Sequence, residues 1–292
     1  MALWRQISEW QLYPLLIDSK LKCIHFLYPE NFIFRSHKWK RHHRFILTVH
    51  QPPSYLPVMQ RAGHRGFFEA LRIAEGIVVL DEASQRDYRY FAPNSIIKHI
   101  PHGVDVNFFH PSKSSTRKPV VLTVGNWLRD YEAWLRVVQA AASKRSNLEF
   151  VVLADPTLYR ALRHRIPHPC PKVSWVWGVD DVQLRRLYQD AAVLFLPLHD
   201  AVANNAILEA MACGLPIVAT GLRAVIYYSG AALAAACNNS DPLGTLEQIE
   251  NLLLDRERWL AASEAGRHRA ATLFAWPFIA EQYRNFYKEI LA

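Results

Sequence analysis

Several patterns are missing from this chain, and each absence removes a class of function. No run of 18 apolar residues occurs, so no membrane-spanning helix is expected. The opening MALWRQISEWQLYPLLIDSK has no charged leader, no unbroken apolar core and no small-residue cleavage site, so no signal peptide is expected. Only four cysteines are present, Cys23, Cys170, Cys213 and Cys237, and no C-x-x-C pair. That excludes the commonest zinc and redox motifs and fits reduced, cytosolic thiols. No D-x-D and no His/Asp/Glu grouping at metal-ligand spacing is found, so no metal is expected. No Ser/His/Asp or Cys/His nucleophile motif stands out either.

What is there describes a globular α/β protein. The 292 residues suffice for two domains, and 51% apolar with 12% aromatic content excludes disorder. The net charge is +8. The first 110 residues carry 14 basic and 9 acidic groups, the remainder 20 and 17. The densest basic stretch is Arg35–Arg44, RSHKWKRHHR, with Trp39 at its centre and no acid. It reads either as a solvated face or as a contact for anionic lipid head groups or a phosphorylated acceptor. No nucleic-acid motif accompanies it, and no nucleic-acid partner is expected.

Apolar runs and amphipathic segments alternate along the chain. Lys22–Tyr28, Phe45–His50, Gly76–Leu80 and Ser95–Ile100 read as strands, with helices at Gly66–Ala74 and Asp81–Phe91. The Pro-rich QPPSYLP after His50 reads as loop. PSKSSTRKP (111–119) reads as a linker. Strands at Pro119–Gly125, Leu148–Ala154, Val173–Val176, Val193–Pro197 and Leu215–Ala219 then alternate with helices at Asp130–Ser143, Thr157–Arg165, Asp181–Gln189 and Asn204–Cys213. A weak edge strand at Ala231–Ala235 and helices at Pro242–Leu254, Glu257–Phe274 and Pro277–Leu291 close the chain. This rhythm predicts parallel sheets covered on both faces.

The stretch 193–220 organises the rest. Asn204 or Asn205 can cap a helix at the carboxyl end of a strand, where free N–H groups and the helix dipole favour an anion. Glu209 is the only charge in that helix. It is either a carboxylate for a ribose diol or a core-helix glutamate satisfied by its surroundings.

The chain resembles the retaining GT-B glycosyltransferases of family four (glycosyl transferases group 1). HGVDVNFFHPS (102–112), VLTVGNWLRDYE (121–132) and NNAILEAMACGLPIVAT (204–220) carry the resemblance, with FAWPFIAEQYRNFY (274–287) similar to a closing helix. It implies two Rossmann-like domains facing a cleft: 1–110 on the acceptor side, 111–275 for the nucleotide sugar, and a helix at 276–292 returning to the first. It implies sugar transfer from a nucleotide sugar to a glycan or lipid-linked acceptor, with retention and without metal. Bacterial surface polysaccharide or glycolipid synthesis follows only by this resemblance, as does a cytoplasmic enzyme peripheral to the inner membrane. By the same resemblance Glu209 binds the ribose. Asn204 and Asn205 hold sugar and pyrophosphate, Gly125 and Asn126 lie at the phosphates, Arg129 clamps the leaving diphosphate, and Trp177 and Val179 flank the base.

Departures from the family pattern are specific. Ala201 stands where the family has its first motif glutamate, with Asp200 one place off, and Asn126 stands at a usual arginine. No G-x-G occurs, and only about 20 residues precede the first strand, so the first domain is expected to be incomplete by two or more βα units. Either of two strand-end histidines could face the donor sugar, His50 first and His25 second, with Glu30 as a partner for His25. Two further readings stand beside the transferase: a non-catalytic nucleotide-sugar-binding protein and an epimerase of the same architecture.

Overall fold

The structure is a computed structural model that describes residues 9–18, 20–33, 35–40, 42–112, 118–168 and 172–292. Arg41, Cys170 and most of the expected linker, 113–117, lie outside these residues, as does the side chain of Trp39. The chain divides into two compact units, Met1–His102 with Ile279–Ala292, and Gly103–Phe278.

The first unit is built on β1 (Cys23–Phe26), β2 (Arg44–Val49), β3 (Gly76–Val79) and β4 (Ile96–His99), parallel and in sequential order. Its helices are α1 (Tyr13–Ile17), α2 (Pro29–Phe32), α3 (Leu56–Arg61), α4 (Arg65–Ile73) and α5 (Ser84–Phe91). Side chains alternate across a strand, and here the two faces find different cover. Phe45, Leu47, Val49, Ile77 and Val79 pack on Met59, Phe67, Leu71 and Tyr88. Ile46, Val78 and Ile100 pack on Ile279, Phe286 and Ile290 of the last helix. QPPSYLP is not a plain loop: Pro53–Tyr55 forms a 3-10 turn and α3 follows. Both Pro53 and Pro57 fall in a first turn, where a missing N–H costs nothing.

The second unit holds β5 (Val120–Val124), β6 (Glu149–Leu153), β7 (Lys172–Val176), β8 (Val193–Leu196), β9 (Ile217–Thr220) and β10 (Leu233–Cys237). All are parallel, in the order β10-β9-β8-β5-β6-β7. Its helices are α6 (Tyr131–Ser143), α7 (Pro156–Leu162), α8 (Asp181–Asp190), α9 (Asn205–Ala212), α10 (Arg223–Ser229), α11 (Pro242–Leu254) and α12 (Arg256–Leu273), and α13 (Trp276–Leu291) ends the chain. Tyr188, Ile207, Met211, Val225 and Tyr228 cover one face and Trp134, Val138, Leu246 and Ile249 the other. Each such buried side chain contributes roughly 1.5–3 kcal/mol. The sheet's strand order reverses between β5 and β8, and ligands of doubly wound sheets bind outside the carboxyl ends at such a reversal.

Residues 103–110 belong to the second unit, so the division falls ahead of 110. Val104 pairs with Ala275. Arg267 donates to the carbonyls of Val106 and Phe109, Arg185 to that of Phe108 and Gln189 to that of His110.

Candidate functional site

At the reversal in the second sheet, the turn after β5 meets the loop after β8. Gly125 has φ +91°, open to glycine at little cost, and Leu128 is held at +59°. The turn is knitted to its neighbour by Asp130 N–H to Pro197 O at 2.9 Å and His199 N–H to Leu128 O at 2.9 Å. A Cβ on Gly125 would meet the Arg129 guanidinium at 3.2 Å. That guanidinium donates to Val124 O at 2.9 Å, Trp127 O at 3.0 Å and Asn204 Oδ1 at 3.2 Å. All three acceptors are neutral. Among the described residues no carboxylate lies within ion-pair distance of Arg129, and burial pulls its pKa below the usual arginine value.

Asn204 is buried and caps α9, its Oδ1 accepting from Ala206 N–H at 3.1 Å. One side-chain oxygen therefore ties the helix N-terminus to the arginine. Asn205 is exposed beside it. Gly214, at φ +66°, lets the chain turn off α9 into β9. Glu209 sits one turn inside α9 and accepts from the Tyr188 hydroxyl at 2.8 Å. Burial pushes its carboxyl up to about 7, the phenol acting downward and Asp181 upward. Thus α9 presents a capped amino end next to a guanidinium and a half-buried carboxyl one turn later.

The other expected residues of this unit lie around the same sheet end. Asn126 accepts from Asp155 N–H at 3.0 Å, which joins the turns after β5 and β6. Trp177, 49% exposed, follows β7 with its ring 6.0 Å from that of Tyr159, and Val179 is half-buried. Asp200 accepts from Ala201 N–H, and Ala201 packs against the core.

Two residues important to this arrangement, Tyr188 and Asn239, were missed by sequence reasoning. Tyr188 holds Glu209. Asp130 caps α6, and Asn239 donates to Asp130 Oδ2 and Leu198 O, both at 3.0 Å, while accepting from Thr220 at 2.7 Å. Tyr188 had one signal: a phenol on the apolar side of the helix that precedes the strand leading to Glu209.

In the first unit the two histidines differ sharply. His25 bonds Tyr287 Oη at 2.7 Å and Thr48 Oγ1 at 2.8 Å, so both ring nitrogens are occupied. Burial, with His50 adding to it, pushes its pKa down to about 4 and keeps the ring neutral. His25 thus joins β1 and β2 to α13 through these two bonds. Glu30 partners His50, not His25. Its Oε1 accepts the His50 backbone N–H at 3.1 Å and lies 3.5 Å from Nδ1, while Tyr28 stacks on the ring at 4.0 Å. Glu30 is 4% exposed and its Oε2 has no partner among the described residues. The basic run is partly spent internally: Lys40 pairs with Glu75 at 2.5 Å, and buried His43 bonds Leu21 O at 2.9 Å.

The arrangement can be set beside known proteins. Residues 118–255 match the glycosyl transferases group 1 family. Over 95% or more of its length the chain superposes on several solved structures. One is Anabaena Alr3699/HepE in complex with UDP and glucose, with a TM-score of 0.75 at 14% identity over 99% of this chain and 81% of that one. The chain has the GT-B fold. Among curated relatives of this GT-B chain, α-maltose-1-phosphate synthase of Mycobacterium tuberculosis is 23% identical over 76% of this chain. D-inositol 3-phosphate glycosyltransferase of Xylanimonas cellulosilytica is 28% identical over 72%. The matches span 65% and 55% of those relatives' own lengths. No helix among the described residues is long and apolar enough to cross a membrane.

Proposed function

We propose that the chain is a glycosyltransferase that moves a sugar from a nucleotide-sugar donor to a glycan or lipid-linked acceptor. One observation carries the reading: the Arg129 guanidinium, with no acid beside it, is tied through Asn204 to the amino end of α9, one turn before Glu209. That is a ready site for a diphosphate next to a ready site for a ribose. The group 1 match over 118–255 and the UDP named with the Alr3699/HepE structure support it.

In this reading Gly125 and Asn126 bring backbone close to the phosphates, and Arg129 with the α9 dipole takes the charge that develops on the departing diphosphate. These groups do the work that a divalent cation does elsewhere, so transfer runs without metal. Asn204 and Asn205 orient the sugar and pyrophosphate, Glu209 accepts the ribose hydroxyls, and Trp177 and Val179 flank the base. His50, its ring fixed by Tyr28 and Glu30, is the residue of the first unit assigned to the reacting sugar. Configuration at the anomeric carbon is retained, as the motif resemblance implies.

The reading extends to an anionic membrane surface that supplies a lipid-linked acceptor. Exposed Trp10, Tyr13, Leu15 and Ile17 stand with exposed Lys20, Lys22, Arg35, Lys38 and Arg44 in the first unit.

The test is calorimetric titration with UDP, GDP and ADP, then donor hydrolysis and transfer with and without EDTA, and NMR of the product's anomeric proton. Binding of one nucleoside diphosphate with EDTA-insensitive turnover is expected. Binding without hydrolysis or transfer would sink the enzyme; no binding at all would remove the nucleotide site.

A further inference from the structure

Glu209 has two oxygens in different circumstances. Oε2 accepts from the Tyr188 hydroxyl at 2.8 Å, and among the described residues Oε1 has no hydrogen-bond partner. Tyr188 is 1% exposed, on α8, and its ring meets that of Phe109 edge-on at 6.2 Å. Phe109 in turn is fixed by Arg267, which donates to its carbonyl. The phenol therefore has one place to be, and its hydroxyl has one partner.

We propose that Tyr188 is a positioning residue for ribose recognition: by holding Oε2 it fixes the Glu209 rotamer and leaves Oε1 to accept from the ribose 2′ and 3′ hydroxyls. The inference rests on the nucleotide-sugar reading and adds to it a residue that touches no ligand. A carboxylate accepts two or more hydrogen bonds per oxygen, so one free oxygen suffices for a diol. Without the phenol, both oxygens are free to rotate away among apolar neighbours.

The same contact sets the ionisation. Burial raises Glu209 and the phenol works against that rise. The charged and titratable groups around the pair are Asp181 and Arg185 on α8, Cys213 at the end of α9, Arg129 on the Tyr188 side and Arg267 near Cys213. Burial and Glu209 raise the phenol well above its ordinary value, so it donates at every working pH. A ribose diol donates best to an ionised carboxylate, so nucleotide affinity gains a factor as Glu209 loses its proton.

The experiment uses the full chain. The tightest-binding of UDP, GDP and ADP and its 2′,3′-dideoxy form are titrated into wild type, Tyr188→Phe, Glu209→Gln and the double variant, across pH. The ribose form should lose about tenfold in affinity on Tyr188→Phe, the size of one lost charged hydrogen bond, and the dideoxy form should lose nothing. KM for the donor should rise with kcat changed less than about twofold, as expected for a group acting on ground-state binding. The ratio of ribose to dideoxy affinity, in which phosphate ionisation cancels, should rise with pH around 7 in wild type and at higher pH in Tyr188→Phe. In the Glu209→Gln background the tyrosine change should add nothing. Equal loss for both nucleotides, or an unmoved midpoint, overturns the proposal and leaves the nucleotide site standing. Failure of wild type to bind any of the three overturns both.

Discussion

Among the described residues no acid within reach neutralises the charge of Arg129, and that is why its loss should be selective. Arg129→Ala should weaken nucleoside diphosphate binding by about 10- to 100-fold, the range for a charge-assisted pair of hydrogen bonds. The corresponding nucleoside, which has no phosphate, should bind Arg129→Ala and wild type alike. Lysine should restore only part of the loss, since a point charge cannot keep the bonds to Val124 O, Trp127 O and Asn204 together. Calorimetry of the six protein–ligand pairs checks this; equal loss for nucleoside and diphosphate would mean Arg129 serves the turn alone. Residues of this kind were legible because a lone charge in an apolar helix, or an Arg after a strand-ending Gly, needs a reason. Tyr188 and the Glu30–His50 pairing were not. A buried aromatic looks like core, and which histidine receives Glu30 depends on how α2 turns back over the strand ends.

The loop between β8 and α9 is held by an element far along the chain. Asn239, just after β10, spans Asp130 at the start of α6, Leu198 in the loop and Thr220 at the end of β9. Removing its amide takes one hydrogen bond each from Asp130 Oδ2, the buried Leu198 carbonyl and the Thr220 hydroxyl, so Asn239→Ala should cost about 2–3 kcal/mol. Asn126→Ala removes a single exposed bond to Asp155 N–H and should cost under about 1 kcal/mol. Urea unfolding followed by circular dichroism ranks the two; parity would show that the network is not what holds the loop. Most elements could be read in the sequence, since continuous apolar runs and a cap such as Asn204 announce themselves. The exceptions follow from short-range geometry. No helix is expected at α10, RAVIYYS, because its Val, Ile and Tyr favour strands over helix. β10 begins at Leu233, later than expected, because 230–232 coil into a 3-10 turn.

Each unit has its own core, and the two carry titrating groups of opposite sense. In the second, Glu209 is held at about 7 against an ordinary 4.5. Between those values the folded unit keeps a proton that the unfolded chain releases, so stability falls as pH rises through the window. In the first, His25 is held at about 4 against 6.5, and His37 and His99 are also lowered. There the unfolded chain binds protons that the folded unit refuses, so stability falls as pH drops from 6.5 toward 4. At about 1.4 kcal/mol per pKa unit, each effect is on the order of 3 kcal/mol before solvent screening. Hydrogen exchange, corrected for intrinsic rates, should therefore move in opposite directions where the two windows overlap, between about pH 4.5 and about pH 6.5. Amides of β2 and β3 gain protection as pH rises, and those of β8 and β9 lose it. Glu209→Gln should flatten the second response without touching the first, and His25→Asn the reverse. Slopes of the same sign in both units would mean that neither group governs its unit, and that the pH response comes from net charge spread over the whole chain.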